Sequence, residues 1–137
     1  MGQSTETKEM IADFMENGFL NDIIDMFKNN RKLFAFLGDL IADERGRVRI
    51  GTVALVEDLR ETYPEELAGA IHGIAKSLKA ANPIVRADTA YLLGVINNED
   101  ALPYLSKALN DENALVREAV EETIAFISDL SEEIGTN

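Results

Sequence analysis

The sequence predicts an all-α solenoid, about three stacked helix pairs behind an N-terminal helical cap, on the strength of three observations. Apolar residues recur at spacings of three and four along the chain, and no segment alternates as a half-buried strand would. The segments VRIGTVALVEDL from Val48, VRADTAYLLGVI from Val85 and VREAVEETIAFI from Val116 align without gaps, at spacings of 37 and 31 residues. Such periods mark stacked supersecondary units. Each segment also follows another amphipathic stretch: Leu33, Phe36, Leu37, Leu40 and Ile41; then Leu67, Ile71, Ile74 and Leu78; then Leu102, Leu105, Ala108 and Leu109.

The elements follow in order. Met10, Ile11, Phe14 and Met15 mark a short first helix ending near Gly18, and Leu20, Ile23, Ile24 and Phe27 a second ending near Asn29 and Asn30. Together they form a cap over 5–30 that covers the apolar edge of the first repeat, as terminal repeats require. The helix pairs occupy 31–62, 64–97 and 98–130, a tail occupies 131–137, and the whole of 1–137 is one domain. Pro64 and Pro83 suit a first helical turn, Asn82 an N-cap, and Pro103 the opening turn of its helix. Glu65 and Glu66 complement the positive end of a helix dipole.

Val48, Val85 and Val116 share one helical face with Thr52, Thr89 and Val120, with Val56, Leu93 and Ile124, and with Leu59, Ile96 and Ile127. This face is the expected core. Truncating Leu93 or Ile124 to alanine is expected to cost about 2–5 kcal/mol.

Composition narrows the function. The chain has no cysteine, which removes disulfides, thiolate metal sites and cysteine nucleophiles and fits a cytoplasmic location. Residues 1–8 lack the apolar centre of a secretion signal, and nowhere do 18 apolar residues run together, so a soluble protein with no membrane partner is expected. A net charge of −12 repels phosphate backbones and argues against nucleic acid. A basic surface would be attracted instead. Residues 111–137 are the acidic pole, with eight acids against Arg117.

The stretch from Gly94 to Ile127, GVINNEDALPYLSKALNDENALVREAVEETIAFI, resembles the HEAT-like repeat family, in the subtype also found in phycobilisome lyases. Gly94 and Ile96 before the turn, Ala101 and Pro103 opening a helix, Leu109 and Asp111 closing it, and Val116-Arg117 opening the next stand where that pattern has them. The resemblance is looser over 31–81, where an insertion surrounds Tyr63 and Glu57 replaces the family glycine, and it does not extend to 1–30. It implies a right-handed α-α superhelix. It also implies that an aspartate six residues before each recurrent arginine forms a ladder with it between units, a spacing kept by Asp43 with Arg49 and Asp111 with Arg117. Ala80 stands at that place before Arg86, which is left to pair with Asp88 or another acid. The alternative for the three arginines is a ligand-binding basic stripe.

Motifs that would carry chemistry are sparse. His72, the single histidine, aligns with Pro103 at a helix start and reads as a partly exposed helix residue. Acidic pairs such as Asp43-Glu44 and Glu121-Glu122 diverge on a helix and form no calcium loop, and no phosphate-cradling Gly-rich loop occurs. No metal, cofactor or catalytic residue is expected.

By the same resemblance, positions two, six and ten after each valine face the concave side, where polar residues are usual. Here they are Ile50, Ala54 and Asp58; Ala87, Tyr91 and Val95; Glu118, Glu122 and Phe126. The result is an apolar strip through Ile50, Ala87, Tyr91, Val95 and Phe126, rimmed by Asp58, Glu118 and Glu122. An aromatic strip inside a charged rim suits a protein-binding scaffold or adaptor that holds a peptide or helix with basic flanks. The strip could equally be covered by the N-terminal helices or by a second copy, making a homo-oligomerising structural domain. An accessory subunit or enzyme of the phycobilin-lyase type is the remaining alternative, although none of that group's chromophore-handling residues can be matched.

Overall fold

The computed structural model describes the backbone of residues 2–135 and the side chains of 4–129; within these bounds every regular element is helical. The first helix, α1 (Gly2–Glu16), begins well before Met10. Its first two turns are polar all round, so they carry no apolar period to betray them. Gly18, at φ 87°, turns the chain into α2 (Leu20–Asn29). Asn30 then accepts the Lys32 amide at 3.2 Å and starts a 3-10 stretch, Arg31–Phe36, that runs into α3 (Leu37–Ile41). The remaining elements are α4 (Gly46–Leu59), α5 (Pro64–Ala75) with a 3-10 extension Lys76–Lys79, α6 (Pro83–Ile96), a 3-10 turn Glu99–Ala101 leading into α7 (Leu102–Lys107), and α8 (Ala114–Gly135). The expected tail is therefore helical through Gly135; residues 136–137 lie outside the described residues.

Asparagine side chains open the later units. Asn82 accepts from the Ile84 amide at 2.9 Å, Asn98 from Asp100 at 2.7 Å, and Asn113 from Leu115 at 2.9 Å. Each satisfies an amide that a helix start leaves without an internal partner. Asn97, at φ 56°, ends α6 in the left-handed region that asparagine tolerates.

The helices form two layers. The first helices of the pairs, α3, α5 and the Glu99–Ala101 turn with α7, pack in sequence, and so do the second helices α4, α6 and α8. Between the layers lies one apolar seam: Val48, Val85 and Val116 are all buried, as are Thr52, Thr89 and Val120. The two threonines stand in this seam at little polar cost because each hydroxyl donates to the carbonyl four residues back, Val48 O or Val85 O, at 2.7 Å. Val56 and Leu93 are fully buried, but Ile124 is only half-buried. No helix among the described residues stacks beyond α8, which corrects the expectation that the Leu93 and Ile124 positions bury alike.

The N-terminal helices α1 and α2 pack against α4, so that Ile11, Met15, Ile23 and Phe27 are buried. Phe27 meets Phe34 edge-on with centroids 5.3 Å apart, Phe34 meets Tyr63 at 5.8 Å, and the Arg31 guanidinium sits 5.4 Å from the Tyr63 ring centre. A different constraint holds α3 against α5. A Cβ on Gly38 would lie 2.7 Å from the Gly73 carbonyl oxygen, so only glycine permits that approach.

Leu93→Ala should lower unfolding free energy by about 2–5 kcal/mol, and Ile124→Ala by less, as read from urea midpoints. Gly38→Ala should cost about 1–3 kcal/mol, because backbone rather than a side chain must yield.

Candidate functional site

Of the recurrent arginines, Arg49 and Arg86 are buried and Arg117 is half-buried. Arg49 and Arg86 are each 8% exposed. Arg86 donates from Nη1 to the carbonyls of Ala80 (2.9 Å) and Ala81 (3.1 Å), and from Nε and Nη2 to both carboxylate oxygens of Asp111 at 2.8 and 3.0 Å. Arg49 repeats the pattern: Nη1 donates to Asp43 O (2.8 Å) and Glu44 O (3.0 Å), and Nε to Asp88 Oδ2 at 2.8 Å. Arg117 donates from Nη1 to Asp111 O at 2.7 Å.

The spacing of six therefore serves a backbone carbonyl, which corrects the expected side-chain pairs Asp43–Arg49 and Asp111–Arg117. Ala80 interrupts nothing, because a carbonyl is indifferent to its side chain. Each guanidinium closes the carbonyl-rich end of the preceding segment, where a helix leaves acceptors unsatisfied and its dipole favours a cation. Arg49 and Arg86 then reach one unit forward to a carboxylate. Asp88 is the partner of Arg49 rather than of Arg86, and Asp43 accepts from Arg45 instead, at its amide (2.9 Å) and Nε (3.0 Å).

These contacts set the charge states. The Arg86 hydrogen bonds hold the Asp111 carboxyl below the usual carboxylate range, outweighing partial burial, and the Asn113 amide adds to them. Burial would raise the Asp43 carboxyl, but hydrogen bonds from the Arg45 side chain and amide, with both guanidinium charges, bring it below its ordinary value. Asp111 in turn raises Arg86.

The strip residues lie along the outer side of the second-helix layer. Ile50, Tyr91 and Phe126 are 72, 58 and 55% exposed, Ala87 is half-buried and Val95 is buried. The N-terminal helices do not cover the three large residues. Two hollows share Tyr91 as a wall. One, of about 380 Å³, lies between Tyr91, Val95, Glu122, Phe126 and Arg60, floored by Gly94 and Thr123; the other, of about 300 Å³, lies between Ile50, Ala54, Glu57, Asp88 and Tyr91. The floor of the first is tight because a Cβ on Gly94 would sit 3.2 Å from Thr123 Cγ2, and Thr123 donates to Ala90 O at 3.1 Å. Asp58, Glu118 and Glu122 are exposed, and Asp58 makes a loose surface pair with Lys28 at 3.8 Å.

Two further members were missed in the sequence. Ile84 and Leu115 are exposed, and each stands one turn before a strip position, at i−3 from Ala87 and Glu118. The residue before the second and third Val-Arg pairs is therefore apolar and on the same face by helical spacing, whereas Arg47 stands there before the first.

His72 sits in the last turn of α5, not at a helix start, because α5 opens at Pro64, eight residues before it. Its Nδ1 lies 2.9 Å from the Tyr104 hydroxyl. Among the described residues no group of three or more histidines and carboxylates is arranged to hold a metal ion, and no helix is long and apolar enough to cross a membrane.

Residues 71–134, from within α5 into α8, match the family model for HEAT repeats. No curated protein matches the chain. The matched segment runs from the second half of α5 through α6 and α7 into α8, including the Arg86–Asp111 contact and most of the Tyr91–Phe126 hollow, and supports a HEAT-like repeat architecture there.

Because the Asp111 pKa is lowered on folding, its contribution to stability is present above the unfolded value, about 4, and is lost as pH falls through the folded one. Urea midpoints of the wild type should fall on acidification more steeply than those of Asp111→Asn. Parallel curves would contradict the role given to this carboxylate.

Proposed function

We propose that the chain is a non-catalytic binding module that holds an amphipathic peptide or helix with basic flanks across α4, α6 and α8. The observation that carries the reading is the pair of hollows joined at Tyr91, with large apolar side chains left in water on both sides. Apolar side chains exposed together mark a binding surface more often than isolated ones do. Tyrosine and phenylalanine can supply large contact areas while ordering few torsions.

Charge complementarity selects the flanks. Glu57, Asp58, Glu118 and Glu122 stand around the strip, all exposed, on a chain of net charge −12. Lysine or arginine beside the apolar face of a partner would meet them and speed its encounter. The similarity to HEAT repeats over 71–134 is in keeping with a scaffold, while the lyase-type alternative has no residue-level match to rest on.

Selection from a displayed library of helical peptides should enrich apolar faces flanked by lysine or arginine. Replacing Tyr91 and Phe126 together with serine should weaken the selected peptides by about thirtyfold or more, the factor set by about 2 kcal/mol. Equal affinity for the double variant would overturn the groove. A dimer that sediments in the wild type and dissociates in the variant would give this face to a second copy instead.

A further inference from the structure

A second hollow lies away from the strip, between the first helices of the second and third pairs. It measures about 610 Å³, within the range of small-molecule sites. One wall is a single face of α5 and its 3-10 extension, carrying His72, Lys76 and Lys79; the other is α7, carrying Tyr104 and Lys107. His72 and Tyr104 tie the walls together at 2.9 Å.

Its charge runs against that of the protein. Every lysine after Lys32 lines this one hollow, and none of the three makes an ion pair among the described residues. The two acids at its edge are already engaged or turned to water: Asp111 accepts both bonds from Arg86, and Glu112, 92% exposed, lies 3.9 Å from the same guanidinium. Between the lysines the wall is apolar, formed by Ala75, Leu78, Ala80 and Ala108.

We propose that this hollow binds a small organic phosphate with an apolar body, the lysines taking the phosphate and the alanine and leucine wall with the Tyr104 ring taking the body. Lysine ammonium groups bind phosphate as mobile point charges and need no fixed fork geometry. Three exposed ammonium groups beside one apolar wall give a local positive potential on a chain whose net charge is −12.

The test is titration of the 15N-labelled chain with 1-naphthyl phosphate, followed by amide shifts. Saturable shifts confined to residues 72–80 and 104–112 are expected, together with binding that is at least about tenfold weaker in the Lys76→Gln, Lys79→Gln, Lys107→Gln variant and weaker with added salt. The Tyr91→Ser, Phe126→Ser chain should bind as the wild type does, which separates this site from the groove. Shifts scattered over the surface, or undiminished binding by the glutamine variant, would overturn the proposal. So would equal binding of the uncharged 1-naphthalenemethanol, since the phosphate would then contribute nothing.

Discussion

A helix pair whose second helix is apolar towards its own partner and also towards the next pair cannot bury itself alone, and this constraint organises the whole molecule. Val48, Val85 and Val116 are all buried because each second helix packs on the first helix of its own pair and on the second helix of a neighbouring one. The ends show the same rule by default. At the start, α1 and α2 supply what a preceding repeat would supply, and at the far end Ile124 stays half-buried on the last helix.

The buried arginines add direction to a seam that greasy contact alone would leave free to slide. Arg86 is fixed by two carbonyls of its own unit and by both oxygens of Asp111 in the next, four contacts that few relative placements of the pairs can satisfy. Such a guanidinium is nearly removed from water, and its hydrogen bonds offset the desolvation; their main consequence is the register between units rather than net stability. Thr123, bonded to Ala90 O across the Gly94 gap, brings α6 and α8 close in the same way.

Opposite characters result for the two outer surfaces. Among the described residues nothing covers Ile50, Tyr91 and Phe126, which stand in water with Glu57, Asp58, Glu118 and Glu122 around them and Arg60 beside Tyr91. The first-helix layer gathers the later lysines against a patch of alanine and leucine. As proposed binding sites, an apolar surface framed by acids and one framed by bases would favour partners of opposite sign.

The helical period, the Val-Arg repeat and the turn residues determined by themselves that the chain folds as stacked helix pairs, which face is core, and that Ile50, Tyr91 and Phe126 share a face. These are legible because each depends only on positions within one helix or one turn. The polar start of α1 stayed hidden because it lacks an apolar stripe, and His72 was misplaced because the second pair's first helix begins earlier than the third pair's. Only the tertiary structure decided where Arg49 and Arg86 point, that Ala80 serves through its carbonyl, and that lysines 76, 79 and 107 converge on one hollow. The physical reason is common to all three: each depends on the distance between different helices, and that distance follows from how side chains pack across the seam rather than from any local spacing.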